Sequence, residues 1–203
     1  MQKFRASSND AQVSGLSLMT LFLGLLKDEY AWVLKDYGVS VDALEEWYPQ
    51  QFVLDVLRTI KQRVGNQLVM VSVGMTWAGD TPPEFATFDE FLCVLGDIYA
   101  ASSINLGADD ALVVKQNHPF QIKTIRLGGE SAVLKSQADL SFVGENHFEV
   151  VNSTPYPDDL IYGYLYGNAR RYLQKFLISY RDPKKIDGEE NMYFDVHWKA
   201  IPS

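Results

Sequence analysis

The apolar positions of this chain change period about halfway along. From Leu16 through Leu26 to Tyr30, Val33, Leu34 and Tyr37 they keep a helical spacing. Ser14 or Ser17 is placed to cap this first helix, and Gly38 to end it. Ser40 marks a short second helix over Val41–Trp47, closed by Pro49. Gln50–Val64 carries Phe52, Val53, Val56, Leu57, Ile60 and Val64 on a helical period, with Gly65 as its stop. Asn66–Trp77 predicts a further helix. After the loop Gly79-Asp80-Thr81-Pro82-Pro83, Thr87 caps Phe88–Ser102, with Glu90 at the reciprocal capping position.

Beyond residue 120 the spacing turns to strands and one long helix. Ile122–Leu127 and Ser131–Lys135 flank Gly128-Gly129, a hairpin signal, because glycines accept the positive φ of tight primed turns. His147–Val151 predicts a third strand. Met192–Lys199 predicts a fourth, with Met192, Phe194, Val196 and Trp198 alternating against Tyr193, Asp195, His197 and Lys199. Between them Pro157-Asp158-Asp159 opens a helix that the pattern extends to Ile178, since proline and carboxylates suit a first turn. The charged stretch Asp182–Asn191 predicts a mobile loop. Helices followed by antiparallel strands define an α+β fold. It consists of an N-terminal helical half and a four-stranded antiparallel sheet crossed by the long C-terminal helix. Residues 1–13 form a disordered leader, and 14–203 a single domain.

Composition narrows the function by exclusion. A net charge of -8 argues against a nucleic-acid-binding face. The Leu16–Leu26 run is too short to span a bilayer. It lacks the flanks of a signal peptide, so a cytoplasmic protein is expected. Cys93 is the only cysteine, which excludes an internal disulfide and fits an inert buried thiol. His118, His147 and His197 lie at no ligand spacing from one another, and no dedicated metal site is expected. No nucleophile elbow, phosphate loop or dinucleotide fingerprint is present, so the chain is not expected to be an enzyme. Arg170-Arg171 fits a solvated helix face.

Gly163 and Gly167 stand four apart in the C-terminal helix and strip one face of side chains. Each glycine costs about 1 kcal/mol against alanine inside a helix. Something must offset that, and both are assigned to close packing against a neighbour. The aromatic residues Tyr156, Tyr162, Tyr164, Tyr166, Tyr172 and Tyr180 around this helix fit helix-to-sheet packing, or the wall of a pocket between layers.

The strand, the polar turn Asn152–Asp159 and the helix with its G-x-x-x-G resemble the superfamily of haem nitric-oxide/oxygen-binding (H-NOX) domains, TRAPP trafficking components and 4-vinyl-reductase-type sensors. The resemblance covers roughly residues 88 to 200. It places the H-NOX proximal histidine at Tyr99, and the tyrosine, serine and arginine that grip haem propionates at Val151, Ser153 and Pro155. Only the serine remains. The arginine's loss removes the fixed cation for the propionates, although tyrosinate can ligate ferric haem.

What the resemblance implies is a non-catalytic cytoplasmic sensor that binds a small apolar ligand without haem, signalling to a protein partner or as a homodimer. The pocket is expected between the Phe88–Ser102 helix and the sheet. Leu92, Leu95, Ile98 and Leu106 would line it, Tyr99 would supply an orienting hydroxyl, and Ser153 and Tyr164 would lie nearby. The alternatives are a haem-dependent gas sensor with Tyr99 as axial ligand, and a TRAPP-like protein-interaction module.

Overall fold

The computed structural model of the chain describes residues 3–19, 31–39, 45–66, 68–79, 85–116, 125–127, 130–132, 146–186 and 189–198. Among the described residues the helices are α1 (Ala31–Asp36), α2 (Gln50–Val64), α3 (Val69–Gly79), α4 (Phe88–Ala101) and α5 (Asp158–Tyr172); residues 15–19 are helical as well. The strands are β1 (Gln12–Ser14), β2 (Trp47–Pro49), β3 (Ser103–Ile104), β4 (Leu112–Gln116), β5 (Ile125–Leu127), β6 (Glu130–Ala132), β7 (Asn146–Asn152), β8 (Phe176–Ile186) and β9 (Glu189–Trp198).

Local chemistry accounts for the helix ends. The Ser14 hydroxyl accepts the Ser17 N–H at 3.2 Å, so Ser14 caps the helical residues that follow it. In α2 the buried side chains include Val53, Leu54, Val56, Leu57 and Ile60, one apolar stripe, and Gly65 closes the helix with φ 64°. Thr87 Oγ1 accepts the Glu90 N–H at 3.2 Å, while the Glu90 carboxylate reaches back to the Ala86 N–H at 2.9 Å. The return arm of the capping box thus lands one residue before the cap. α4 buries Phe88, Phe91, Leu92, Leu95 and Tyr99.

Among the described residues the strands form two antiparallel sheets. One has three short strands in the order β2-β1-β3, the other six in the order β4-β7-β9-β8-β5-β6. The α+β class stands, but the sheet has six strands where four were expected. β4 and β8 were missed, and β8 replaces the end of the expected helix. Leu173 adopts φ -122°, ψ 137°, which ends α5 at Tyr172. Phe176, Ile178 and Tyr180 then continue with a strand's period of two, mimicking the i, i+4 spacing of Tyr172 and Phe176. The expected loop Asp182–Asn191 is largely the distal part of the β8–β9 hairpin: Lys184 pairs with Asn191 and Ile186 with Glu189. In the β5–β6 hairpin Leu127 pairs with Glu130; Gly128 and Gly129 lie outside the described residues.

Two expectations for the N-terminal half are corrected. Trp47–Pro49 is a strand paired with β1, and Pro49 precedes α2 instead of closing a helix; residues 40–44 of the expected second helix lie outside the described residues. The expected leader is ordered from residue 3. Ala11 and Val13 are buried, and β1 pairs on both sides. Polar contacts fix the rest of the segment. The Phe4 N–H donates to Pro155 O at 2.8 Å, and the Phe4 carbonyl accepts from Arg58. Lys3 Nζ reaches Thr154 O at 3.0 Å and Asp158 at 2.9 Å. Burial of Ala11 and Val13 and these paired backbone groups offset the ordering entropy that sequence composition alone would leave unopposed.

The packing of α5 on α3 sets the frame. A Cβ on Gly163 would lie 2.1 Å from Val71 O, and one on Gly74 would lie 2.0 Å from Leu160 O. A Cβ on Gly167 would meet Ala78 Cβ at 2.6 Å. Backbone therefore meets backbone, in a space that admits hydrogen alone at Gly74 and Gly163. A similar approach, 2.8 Å from an added Cβ on Gly96 to Leu112 O, seats α4 on β4.

Candidate functional site

A cavity of about 390 Å³ opens beside α4. Leu95, Ile98, Tyr99 and Ala101 of α4 form one wall, and Ile161 and Tyr164 of α5 another. Trp77, Phe85 and Leu16 add apolar surface, with the hydroxyl-bearing Ser14, Ser17 and Ser102 at the edge. Leu112 represents the six-stranded sheet in the described lining, and Ser14 is the last residue of β1. The cavity thus lies between α4 and α5, with Leu112 of β4 and Ser14 of β1 also on its lining; a pocket between α4 and the sheet was expected.

Leu95, Ile98, Tyr99 and Tyr164 all line the cavity. Leu92, Leu106 and Ser153 are not among its described lining. Leu92 is fully buried in the core, and Leu106 packs against that core from a partly buried position. Ser153 donates to Ala111 O at 3.1 Å, stitching its turn to β4. Cys93, expected to be buried, is exposed, because it falls on the face of α4 opposite Leu92 and Leu95. Tyr156, Tyr162, Tyr164 and Tyr180 are buried: Tyr162 stacks on Tyr180 with centroids 5.1 Å apart, and Trp77 lies 5.3 Å from Tyr164.

Tyr99 presents its ring to the cavity, while its hydroxyl is committed behind the wall. It donates to Asp110 Oδ1 at 2.6 Å, and Gln50 Nε2 donates to Asp110 Oδ2 at 2.9 Å. Gln50 Oε1 accepts from the Ser7 N–H at 2.9 Å and the Ser7 hydroxyl at 3.1 Å. Ser7 Oγ in turn accepts the Gly107 N–H at 3.0 Å. Asp110 and Gln50 are both buried, so each partner offsets the cost of removing the other from water. Burial, then the neighbouring Tyr156 and Asp110, push ionisation of the Tyr99 hydroxyl well above its ordinary range. Tyr156, enclosed beside it, is pushed up for the same leading reason. The orienting hydroxyl expected of Tyr99 is therefore already engaged. Asp110, Gln50 and Ser7 gave no signal in the sequence, where a buried acid and a surface acid look alike.

The turn at the positions matched to the propionate motif is also self-satisfied. Asn152 Oδ1 accepts from the Thr154 N–H at 3.1 Å and from its hydroxyl at 2.7 Å; Asn152 Nδ2 donates to Asp158 at 2.7 Å. Val151 and Pro155 are buried, and the cation at this turn, Lys3, faces Asp158. Among the described residues no Lys, Arg or His lines the cavity, and no group of His, Cys, Asp and Glu is arranged to hold a metal ion. No described helix is long and apolar enough to cross a membrane.

No protein-family model and no curated protein matches the sequence. Solved structures do. An oxygen-binding H-NOX domain related to soluble guanylate cyclases, solved as its oxygen complex, is 14% identical, with 92% of this chain and 95% of that chain covered at a TM-score of 0.61. A structure described under the mechanism of H-NOX activation is 14% identical, over 92% and 97%, at 0.61. A single-residue variant of the T. tengcongensis H-NOX is 15% identical, over 92% and 98%, at 0.59. The matches span 92% of this chain, and the chain has the H-NOX fold.

Proposed function

We propose that this domain is a non-catalytic sensor that holds a small apolar molecule in the cavity beside α4 and does so without haem. The observation that carries the reading is the cavity itself. Its volume of about 390 Å³ falls in the range of small-molecule sites, and its walls are Leu16, Trp77, Phe85, Leu95, Ile98 and Ile161. The related structures bind haem and oxygen in this fold, and the residues present here do not fit haem. An axial tyrosinate needs an ionised Tyr99, yet burial and the adjacent Asp110 carboxylate oppose that ionisation. The propionates need a cation, and the matched positions carry Val151 and Pro155, while Lys3 at this turn is committed to Asp158 and the Thr154 carbonyl. Signalling to a partner protein, or through a second copy of the chain, and a cytoplasmic location follow from the sensor reading.

Titration with the neutral fluorescent probe N-phenyl-1-naphthylamine tests the site. Saturable binding at about one site per chain, lost in Leu95→Trp with folding intact, is the expected result. A probe signal that does not saturate, or that persists in Leu95→Trp, would falsify the cavity reading. Expression with added haem precursor tests the second half. The protein is expected to leave gel filtration without a stoichiometric Soret band; a band at one haem per chain that vanishes in Tyr99→Phe restores the haem reading.

A further inference from the structure

The chemistry around the cavity also specifies the charge of what enters it. The described lining holds apolar and aromatic side chains, and the polar atoms of its side chains are uncharged: the hydroxyls of its serines and tyrosines and the Trp77 indole N–H. Several of those are engaged with protein. Ser14 Oγ and Ser17 Oγ are hydrogen-bonded to each other at 2.8 Å, and the Ser102 hydroxyl donates to Tyr99 O at 2.8 Å. No cation lines the described wall, so a carboxylate entering here finds no fixed partner for its charge.

A second feature acts on sign. One side chain behind the wall sits Asp110, 6% exposed, its two oxygens bound by Tyr99 and Gln50. Both partners are uncharged, so the network fixes the carboxylate in place without neutralising it. In a site of reduced dielectric that fixed charge repels an anion and attracts a cation.

We infer that the cavity selects uncharged apolar ligands and rejects carboxylates, and that Asp110 enforces the rejection. This rests on the ligand-binding reading above and narrows it to a class: neutral molecules with at most a hydroxyl or similar polar end, as opposed to fatty acids, haem or other organic acids. Two effects combine. Desolvation disfavours either ion against the alcohol. The Asp110 field then separates the ions, disfavouring the anion further and offsetting part of the cation's cost.

The test displaces bound N-phenyl-1-naphthylamine with 1-decanol, decanoate and decylammonium, at pH 8 so that both ionisable chains are charged, below micellar concentrations. Salt at about 0.15 M screens the general negative charge of the protein over distances beyond about 8 Å, leaving the local field of Asp110 as the discriminator. Decanol is expected to displace the probe most tightly, decylammonium next and decanoate last, with the two ions separated by about tenfold or more. In Asp110→Asn, which keeps an oxygen for the Tyr99 hydroxyl but sets its Nδ2 against the Gln50 Nε2 donor, the two ions should come within about threefold of each other. Equal displacement by the two ions in the unaltered protein overturns the inference while leaving the cavity reading intact, and needs no variant to fold. A tenfold gap that survives in a folded Asp110→Asn removes Asp110 as its cause. A probe that never binds overturns both readings together.

Discussion

α5 has two faces, and they are built on opposite terms. One face carries Gly163 and Gly167 and meets α3 with backbone against backbone; the other carries Ile161 and Tyr164 and bounds a cavity of about 390 Å³. The contact with α3 leaves no volume for a methyl group at Gly163. The cavity side leaves room for a ligand. Four residues of one helix thus span a backbone-to-backbone contact and an open cavity. The tight face explains how the loose one persists. A void loses dispersion contacts along its lining and tends to collapse unless its walls are held elsewhere. Here α5 is locked to α3 and α4 is locked to β4 through Gly96, so neither wall is free to close on the other.

The largest expected effect is on the tight face. In Gly163→Ala the new Cβ would lie 2.1 Å from Val71 O and 2.9 Å from Val71 C, backbone atoms that move only if the helices separate. A loss above about 3 kcal/mol, at the severe end of overpacking, is expected in denaturant unfolding, with probe binding lost too if the frame holds the cavity open. A variant with the wild-type midpoint would show that α3 and α5 are not in contact.

Next comes the polar network behind the cavity. Asp110→Ala leaves the Tyr99 hydroxyl and the Gln50 amide without their shared acceptor in a buried site. A cost of about 2–3 kcal/mol is expected, since each orphaned group carries its own desolvation penalty. Because Gln50 also holds Ser7, protease cleavage near the N-terminus should rise in this variant and stay low in Thr87→Ala, which affects a distant cap. Equal cleavage in the two would separate the network from the anchoring of the N-terminal segment.

What was legible in the sequence divides along the same line. Elements with local signals emerged with close boundaries: α2 from its stripe and Gly65, the start of α4 from Thr87, and the glycine face of α5 from its unexplained cost. Four cavity residues, Leu95, Ile98, Tyr99 and Tyr164, were placed by the family resemblance and not by pattern. What escaped depends on distant partners. Residues 3–13 look like part of a leader until Pro155, Gln50 and β3 are brought to them. β8 looks like the end of α5 because Tyr172 and Phe176 keep a helical interval across the chain reversal. The acid at position 110 becomes part of the site only when Gln50 and Tyr99 meet it.

A smaller effect is expected at Gly167→Ala. The added methyl would meet Ala78 Cβ at 2.6 Å and Met75 O at 2.9 Å, so the clash is partly with a side chain and less with backbone than at Gly163. Overpacking of about 1–3 kcal/mol is offset by about 1 kcal/mol of helix propensity gained over glycine. A net loss near 1 kcal/mol in the unfolding midpoint is expected. A loss matching that of Gly163→Ala would mean the crossing is uniformly tight along α5.

The smallest effect on stability should come from filling the void, and the sharpest form of this test is a pair on one helix. Leu92 and Leu95 both lie on α4, and both are buried, at 0% and 1% exposure. Only Leu95 faces the cavity. Leu95→Phe has empty space to enter, so the added atoms gain contacts in place of clashes, and the unfolding free energy should shift by less than about 1 kcal/mol in either direction. Leu92→Phe enters close-packed core, where the same added volume should cost about 1–3 kcal/mol. Probe affinity should respond the other way, falling in Leu95→Phe and holding in Leu92→Phe. Because the two substitutions are chemically identical and three residues apart, helix propensity and unfolded-state effects cancel between them. Equal stability losses at the two positions would mean that the space beside Leu95 is filled in solution, and the contrast between the two faces of α5 would disappear with it.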